Sequence, residues 1–198
     1  MKQAEIKKAL DFHTKMAQKS AVISDINVLI KHIISEIVDY IDADSGSIMV
    51  YSKQEESLKL YVSSDHPKNQ PGKGPVASVS ADDGIAGEVF KTGKAIAVKD
   101  VESLKDKIKL RRKNDMGSFL SIPLKLHRKI VAVLNLNRQK DKKPFASNDL
   151  NKLKAINALI ANLIEKERLI RDISENRKEI SALYECLCKH VSWADHLV

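Results

Sequence analysis

The sequence predicts an α+β protein: an antiparallel sheet of five to six strands with helices packed on one face, plus long helices at both ends. Three observations carry this. Apolar residues recur at three- and four-residue spacing through the first 41 residues and again after residue 147, the period of a helix with one buried side. Between them the period falls to two, in pairs of short runs separated by polar turns, the pattern of antiparallel hairpins. Finally, a 198-residue chain that is 43% apolar and 30% charged can bury a sizeable core. Its longest apolar run, Ile130 to Leu134, has five residues, far short of the roughly 20 that span a bilayer.

The first helix is expected over about 20 residues, with a stripe of Ala4, Ile6, Ala9, Leu10, His13, Met16 and Ala17. A second begins after a cap at Ser24 or Asp25, carries Val28, Leu29, Ile33, Ile37, Tyr40 and Ile41, and ends before Asp44 to Gly46. Ser47 to Tyr51 and Leu58 to Ser63 form a hairpin across Lys53 to Ser57. His66 to Pro75, with three prolines and two glycines, reads as a loop. A short helix, Gly84 to Lys91, and a strand, Ala95 to Val98, precede a basic helix at about 101–112. A second hairpin, Ser118 to Leu126 and Ile130 to Asn137, turns at His127 to Lys129. After Pro144, Ser147 is the expected cap of a helix that has neither Gly nor Pro and continues to about residue 190.

Alternation along the strands separates two faces. Ile48, Val50, Leu58, Leu60, Val62, Leu120, Ile122, Leu124, Leu126, Ala132, Leu134 and Leu136 form an aliphatic face that packs on helices. The other face holds Ser47, Met49, Tyr51, Tyr61, Phe119, Ser121, Val131, Val133 and Asn135, aromatic, soft and small polar groups rather than the Lys, Glu and Thr of a solvated surface. Such a lining suits either a small-molecule cleft or a second, minor core beneath the loops and short helices.

The order of elements resembles the GAF domain, and three stretches sharpen the likeness over about residues 24 to 165. They are Asp83-Gly84-Ile85-Ala86-Gly87-Glu88-Val89-Phe90-Lys91-Thr92-Gly93 followed by Val98-Lys99-Asp100, then Ser121-Ile122-Pro123-Leu124 with Ile130 to Asn137, and finally Asn137-Arg138, Phe145 and Asp149. Arg138 stands where the family usually has Lys, Leu150 where it has Glu, and Ala132 where Gly is frequent. The last motif reads as structural, tying the final strand to the final helix. The resemblance implies a GAF/PAS-like fold and a division into an N-terminal signalling or dimerisation helix at 1–22, a GAF domain at 23–165 and a coiled-coil-like extension at 166–198. With the strand phase above, the expected ligand site is Met49, Tyr51, Tyr61, Phe119, Ser121 and Asn135, with Phe90, Ile108 and Met116 from the covering segments.

Enzymatic constellations are not evident. Gly87 to Gly93-Lys94 has five intervening residues, and Ala95 replaces the Ser or Thr that a phosphate loop uses for its metal. Gly72 and Gly74 read as a turn, and Asp82 and Asp83 as a helix cap. Residues 1 to 185 contain no Cys, so the thiols of GAF-type methionine sulfoxide reductases and the bilin-anchoring Cys of photoreceptor GAF domains have no counterpart there. His66 and His127 fall in turns, where solvent exposure is the expectation. Cys186, Cys188, His190 and His196 are metal-ligand types, but on a continuous helix positions two apart point about 200° from one another, so a helical tail is expected and not a metal centre. No cofactor is identified.

The final helix carries the second functional clue. With Ile156, Leu163, Ile170, Arg177, Tyr184 and Val191 at one heptad position and Leu159, Lys166, Ile173, Ile180 and Leu187 at the other, nine of eleven are apolar. The seam either packs on the N-terminal helix of its own chain or forms a parallel bundle with the terminal helices of a second copy; the homodimer is the expectation, with Lys166 and Arg177 weakening the seam. Net charge is +8, and the basic excess sits in residues 101–150: Lys105, Lys107, Lys109, Arg111, Arg112 and Lys113, then Arg138, Lys140, Lys142 and Lys143. Lys105, Lys109 and Arg112 share one side of the expected basic helix, where they either face water or favour an anionic ligand.

The expectation is a non-enzymatic, cytoplasmic sensor that binds a small molecule and signals through a helical homodimer to a downstream protein. Two alternatives stay open at this point: a dimeric interaction platform whose pocket is filled by its own side chains, and a nucleic-acid binder using the basic quarter.

Overall fold

A computed structural model describes residues 2–64, 78–80, 83–102 and 116–194. The chain divides into two compact units, Met1–Ile164 and Glu165–Val198. Helices α1 (Lys2–Val22) and α2 (Ile26–Ile41) lead into strands β1 (Ser45–Ser52), β2 (Ser57–Ser63) and β3 (Ser78–Ser80). Helix α3 (Gly84–Thr92), strands β4 (Ile96–Val98), β5 (Met116–Leu126) and β6 (Lys129–Gln139), and helix α4 (Ser147–Ala194) follow. The strands form one six-stranded antiparallel sheet in the order β3-β2-β1-β6-β5-β4. The expected basic helix at 101–112 and the loop from His66 to Pro75 lie outside the described residues.

Helix α2 starts where Asp25 Oδ1 accepts from the backbone of Asn27 at 2.8 Å and Val28 at 3.2 Å, two amides that otherwise have no helical partner. It stops at Asp42, in the left-handed region. Ile30, Ile33, Ile34 and Ile37 are fully buried against the sheet, each contributing about 1.5–3 kcal/mol over exposure. Gly46 of β1 leaves no room for a side chain: a Cβ there would lie 2.9 Å from Val38 Cγ2 and from Leu136 Cδ2. Val28, expected on the buried stripe, is exposed.

The face that α1 buries also differs from expectation. Met16 turns inward as expected, but so does Phe12, stacking on Tyr40 at 4.5 Å, while Ile6 and Leu10 are exposed. Ala9, Phe12, Met16 and Ile23 follow the helical period equally well, and the aromatic contact with α2 selects that phase. Lys19 ties the pair together through Glu36 at 2.7 Å. Burial pushes the Tyr40 phenol up, with the charge of Glu5 acting in the same direction.

Helix α4 begins at Ser147, but Ser147 is not its cap. Ala146 occupies that place: its carbonyl accepts from Leu150, and Asp149 Oδ2 reaches back to its amide at 2.9 Å. Within the first unit, Leu153, Ile156, Ile160 and Ile164 pack into the core, whereas Leu159 is exposed. Asn157 performs a further task. Its amide accepts from Lys125 N at 2.9 Å and donates to Pro123 O at 2.7 Å, replacing a neighbouring strand where β4 has ended.

Arg138 joins these parts. Its guanidinium donates to Asp42 O at 3.1 Å, to Ile41 O, to Lys143 O at 3.1 Å and to Asp149 Oδ2 at 3.2 Å, and lies 4.2 Å above the ring centre of the buried Phe145. Thus the last strand, the C-terminus of α2, the 140–146 connection and the N-terminus of α4 meet on one side chain. Nearby, Lys142 bridges Asp42 and Asp44, both at 3.1 Å; the bond to Asp42, then that to Asp44, raises its ammonium above the ordinary range.

Two outcomes follow. Arg138→Ala removes a donor from Asp149 and from three carbonyls and lowers stability by about 3–5 kcal/mol, read by urea unfolding. Asn157→Leu leaves Lys125 N–H and Pro123 C=O without partners, costs about 1–3 kcal/mol, and accelerates hydrogen exchange at the Lys125 amide.

Candidate functional site

The face of the sheet opposite α2 is covered by α3, whose sequence prescribes a short helix with one apolar side. Ile85 and Val89, one turn apart, are buried, and Ala86 and Phe90 pack beside them. Gly93 ends the helix at φ 63°, its amide bonding Val89 O at 2.9 Å. Asp83 holds the N-cap position as expected, yet its side chain makes no capping hydrogen bond.

Register places a row of small polar groups across this face. Asn135 of β6 stands between Ser47 of β1 and Ser121 of β5, and Ser47 pairs with Ser63 of β2. Ser121, Asn135 and Ser63 are buried, and Ser121 Oγ donates to Asn135 Oδ1 at 2.8 Å. Apolar groups flank the row: Met49, Val133 and Leu58 under α3 on one side, Phe119 and Val98 on the other, with Ile96 of β4 closing its end beside Ser121. Tyr51 stacks on Phe90 at 4.6 Å with planes 25° apart. Of the nine residues expected at the site, Met49, Tyr51, Phe90 and Phe119 share this cluster, and Ser121 and Asn135 lie in the polar row. Met116 stands at the end of β5 opposite Gln139, and Ile108 lies outside the described residues.

Tyr61 does not join them. Between β1 and β2 the register slips: Ile48 pairs with Val62 but Met49 with Leu60, so Tyr61 is the extra residue of a bulge. It turns to the helix-packed side, where its hydroxyl donates to Asn27 Oδ1 of α2. The same slip carries Leu58, expected against the helices, to the α3 face, where it is fully buried. A second slip in the β5–β6 hairpin turns Val131 toward the helices, also against expectation. Ile85 and Val89 were missing from the sequence-based site, although their four-residue spacing signals a buried face.

Other candidates recede. Among the described residues no three His, Cys, Asp or Glu side chains are placed to hold a metal ion. Cys186 is exposed on α4, and the side chains of Cys188, His190 and His196 lie outside the described set. His127 is exposed in the two-residue β5–β6 turn, and both turn residues have positive φ, 46° and 69°. Of the basic quarter, Lys105 to Lys113 is outside the described residues; Arg138 is buried, and Lys140 and Lys142 pair with Glu102 and with Asp42 and Asp44. No described helix is long and apolar enough to cross a membrane.

Solved structures share this architecture at low identity. The GAF domain of an Acinetobacter phosphoenolpyruvate-protein phosphotransferase superposes with a TM-score of 0.70 at 17% identity, covering 81% of this chain and 95% of that one. The corresponding domain from Coxiella burnetii gives 0.71 at 16%, covering 84% and 98%. A free methionine-R-sulfoxide reductase from Neisseria meningitidis, solved with its substrate, gives 0.63 at 15%, covering 82% and 93%. No curated protein matches the sequence significantly. The GAF domain family itself matches residues 24–165, most of the chain and the whole segment from α2 through the core-packed part of α4, and the chain belongs to that family.

Proposed function

We propose that this GAF domain is a regulatory sensor module: it binds a small molecule on the α3 face of the sheet and passes the event through α4 to a helical homodimer. Asn135 carries the reading. It is 8% exposed, its Oδ1 is occupied by Ser121, and its Nδ2 bonds no other described residue. Its amide therefore keeps a donor, flanked by apolar walls, that a guest's acceptor can take. Tyr51, Phe90 and Met49 offer such a guest an aromatic and polarisable wall.

The route outward is short. Ser121 precedes Pro123 and Lys125 on β5, the two residues that Asn157 holds from α4, so a guest that shifts Ser121 and Asn135 acts on the start of the long helix. The helix at 1–22 and the extension at 166–198 are the signalling segments of this scheme, with a downstream protein as recipient and the cytoplasm as the setting. Chemistry is not part of it: the only cysteines, Cys186 and Cys188, lie after the GAF domain, so the thiols of the reductases have no counterpart within it. A preference for anions rests on Lys105, Lys109 and Arg112.

One observation favours a second reading, the self-filled dimeric platform. Leu58, Val89 and Val133 are fully buried and Tyr51 already stacks on Phe90, so part of the α3 face is packed by the chain itself.

Mass spectrometry of the purified full chain under non-denaturing conditions separates the two. The sensor reading expects a small-molecule mass increment that Asn135→Leu abolishes with the fold retained; an unliganded chain that no member of a metabolite library stabilises thermally sinks it. Light scattering tests the output: a dimer for the full chain and a folded monomer when the chain stops at residue 165. A monomeric full chain would end the dimer reading.

A further inference from the structure

Beyond residue 165, Leu169, Ile173, Ile180, Leu183 and Leu187 of α4 each leave more than half of their surface in water, as do Ile170 and Tyr184. Two heptad frames fit these residues, and they share Ile173, Ile180 and Leu187. One completes the seam with Ile170, Arg177 and Tyr184, the other with Leu169, Asn176 and Leu183.

Their chemistry is unequal. The first frame buries an arginine against its own copy and sets β-branched Ile173 and Ile180 at d. The second sets Ile173, Ile180 and Leu187 at a, with Leu169 and Leu183 at d, the arrangement that two-stranded parallel coils prefer. Between Leu169 and Leu187 its one polar layer is the neutral Asn176 at d, in place of the first frame's arginine.

Charge decides orientation. In the second frame Glu165, Asp172 and Glu179 occupy successive g positions, and Ile170, Arg177 and Tyr184 occupy e. An antiparallel pair would set acidic g rows against each other, whereas a parallel pair sets each g residue against the partner's e residue five positions on. Asp172 then meets the partner's Arg177, twice by symmetry. Within the chain neither Asp172 nor Arg177 forms an ion pair with another described residue. Glu167 and Arg171, by contrast, pair along the same helix at 2.5 Å.

We propose that the α4 extension takes a second copy of this chain as its partner, in a parallel two-stranded coil whose seam is Leu169, Ile173, Asn176, Ile180, Leu183 and Leu187, with Arg177 outside the seam on the partner's Asp172. This rests on the homodimer reading and specifies its register, orientation and specificity contacts.

Cysteine cross-linking of the full chain in a Cys186→Ser, Cys188→Ser background tests it. Asn176→Cys forms a covalent dimer on mild oxidation, and Arg177→Cys stays uncrosslinked. The reverse result overturns the register, as does a dimer by light scattering in which neither variant links. A monomer by light scattering before oxidation overturns the homodimer reading itself. As an independent readout, Asp172→Arg weakens the dimer several-fold and Asp172→Arg with Arg177→Asp restores it; equal affinity in all three chains overturns the pairing.

Discussion

The guanidinium of Arg138 is where the helix-packed side of this domain closes. An α-helix ends with carbonyls that have no partner of their own, and α2 ends inside the fold, facing the last strand. Arg138 supplies donors to two of those carbonyls, to the carbonyl of Lys143 and to Asp149, while Phe145 covers its flat face. Asp149 in turn caps α4 through the Ala146 amide. One planar fork of donors therefore sets where α2 stops, how the chain leaves β6 and where α4 starts. Lysine, the usual residue of this family motif, offers a single ammonium in place of five fixed donors, so the arginine here can satisfy more partners at once.

One strand of the sheet makes contacts on both of its sides. β5 carries Ser121 toward the α3 face and, a few residues on, presents Pro123 and Lys125 to Asn157 of α4. The side chain of Ser121 on the α3 face and the backbone groups that Asn157 holds thus belong to one strand, paired with β6 throughout its length. The polar row of Ser47, Asn135 and Ser121 lies at the centre of the sheet, where displacement of one strand is felt by its neighbours.

Along the second unit the same helix changes role. Through Ile164 most of its large apolar residues, Leu159 apart, are consumed by the core; from Leu169 onward they meet water. Burial of an apolar face, not propensity, supplies most helical stability, and this exposed stripe is what the proposed pairing with a second copy would cover.

Much of this was determined by the sequence alone. Period two against period 3.6 placed every described element except β3, because those periods are properties of the local backbone. The Arg138, Phe145 and Asp149 motif located the joint, and alternation brought Met49, Tyr51, Phe119, Ser121 and Asn135 onto one face. Tertiary structure decided the rest. A bulge inserts one residue and inverts the alternation beyond it, and whether a strand bulges depends on its neighbour's register, so Tyr61, Leu58 and Val131 were assigned to the wrong faces. Phe12 displaced Ile6 and Leu10 from the buried side of α1 for a related reason: two phases of one amphipathic helix fit the same sequence, and only the ring of Tyr40 across the interface distinguishes them. The span of Asn157 to β5, 32 residues away in sequence, has no local signature at all, because a strand edge left open by the end of its neighbour exists only once the sheet has formed.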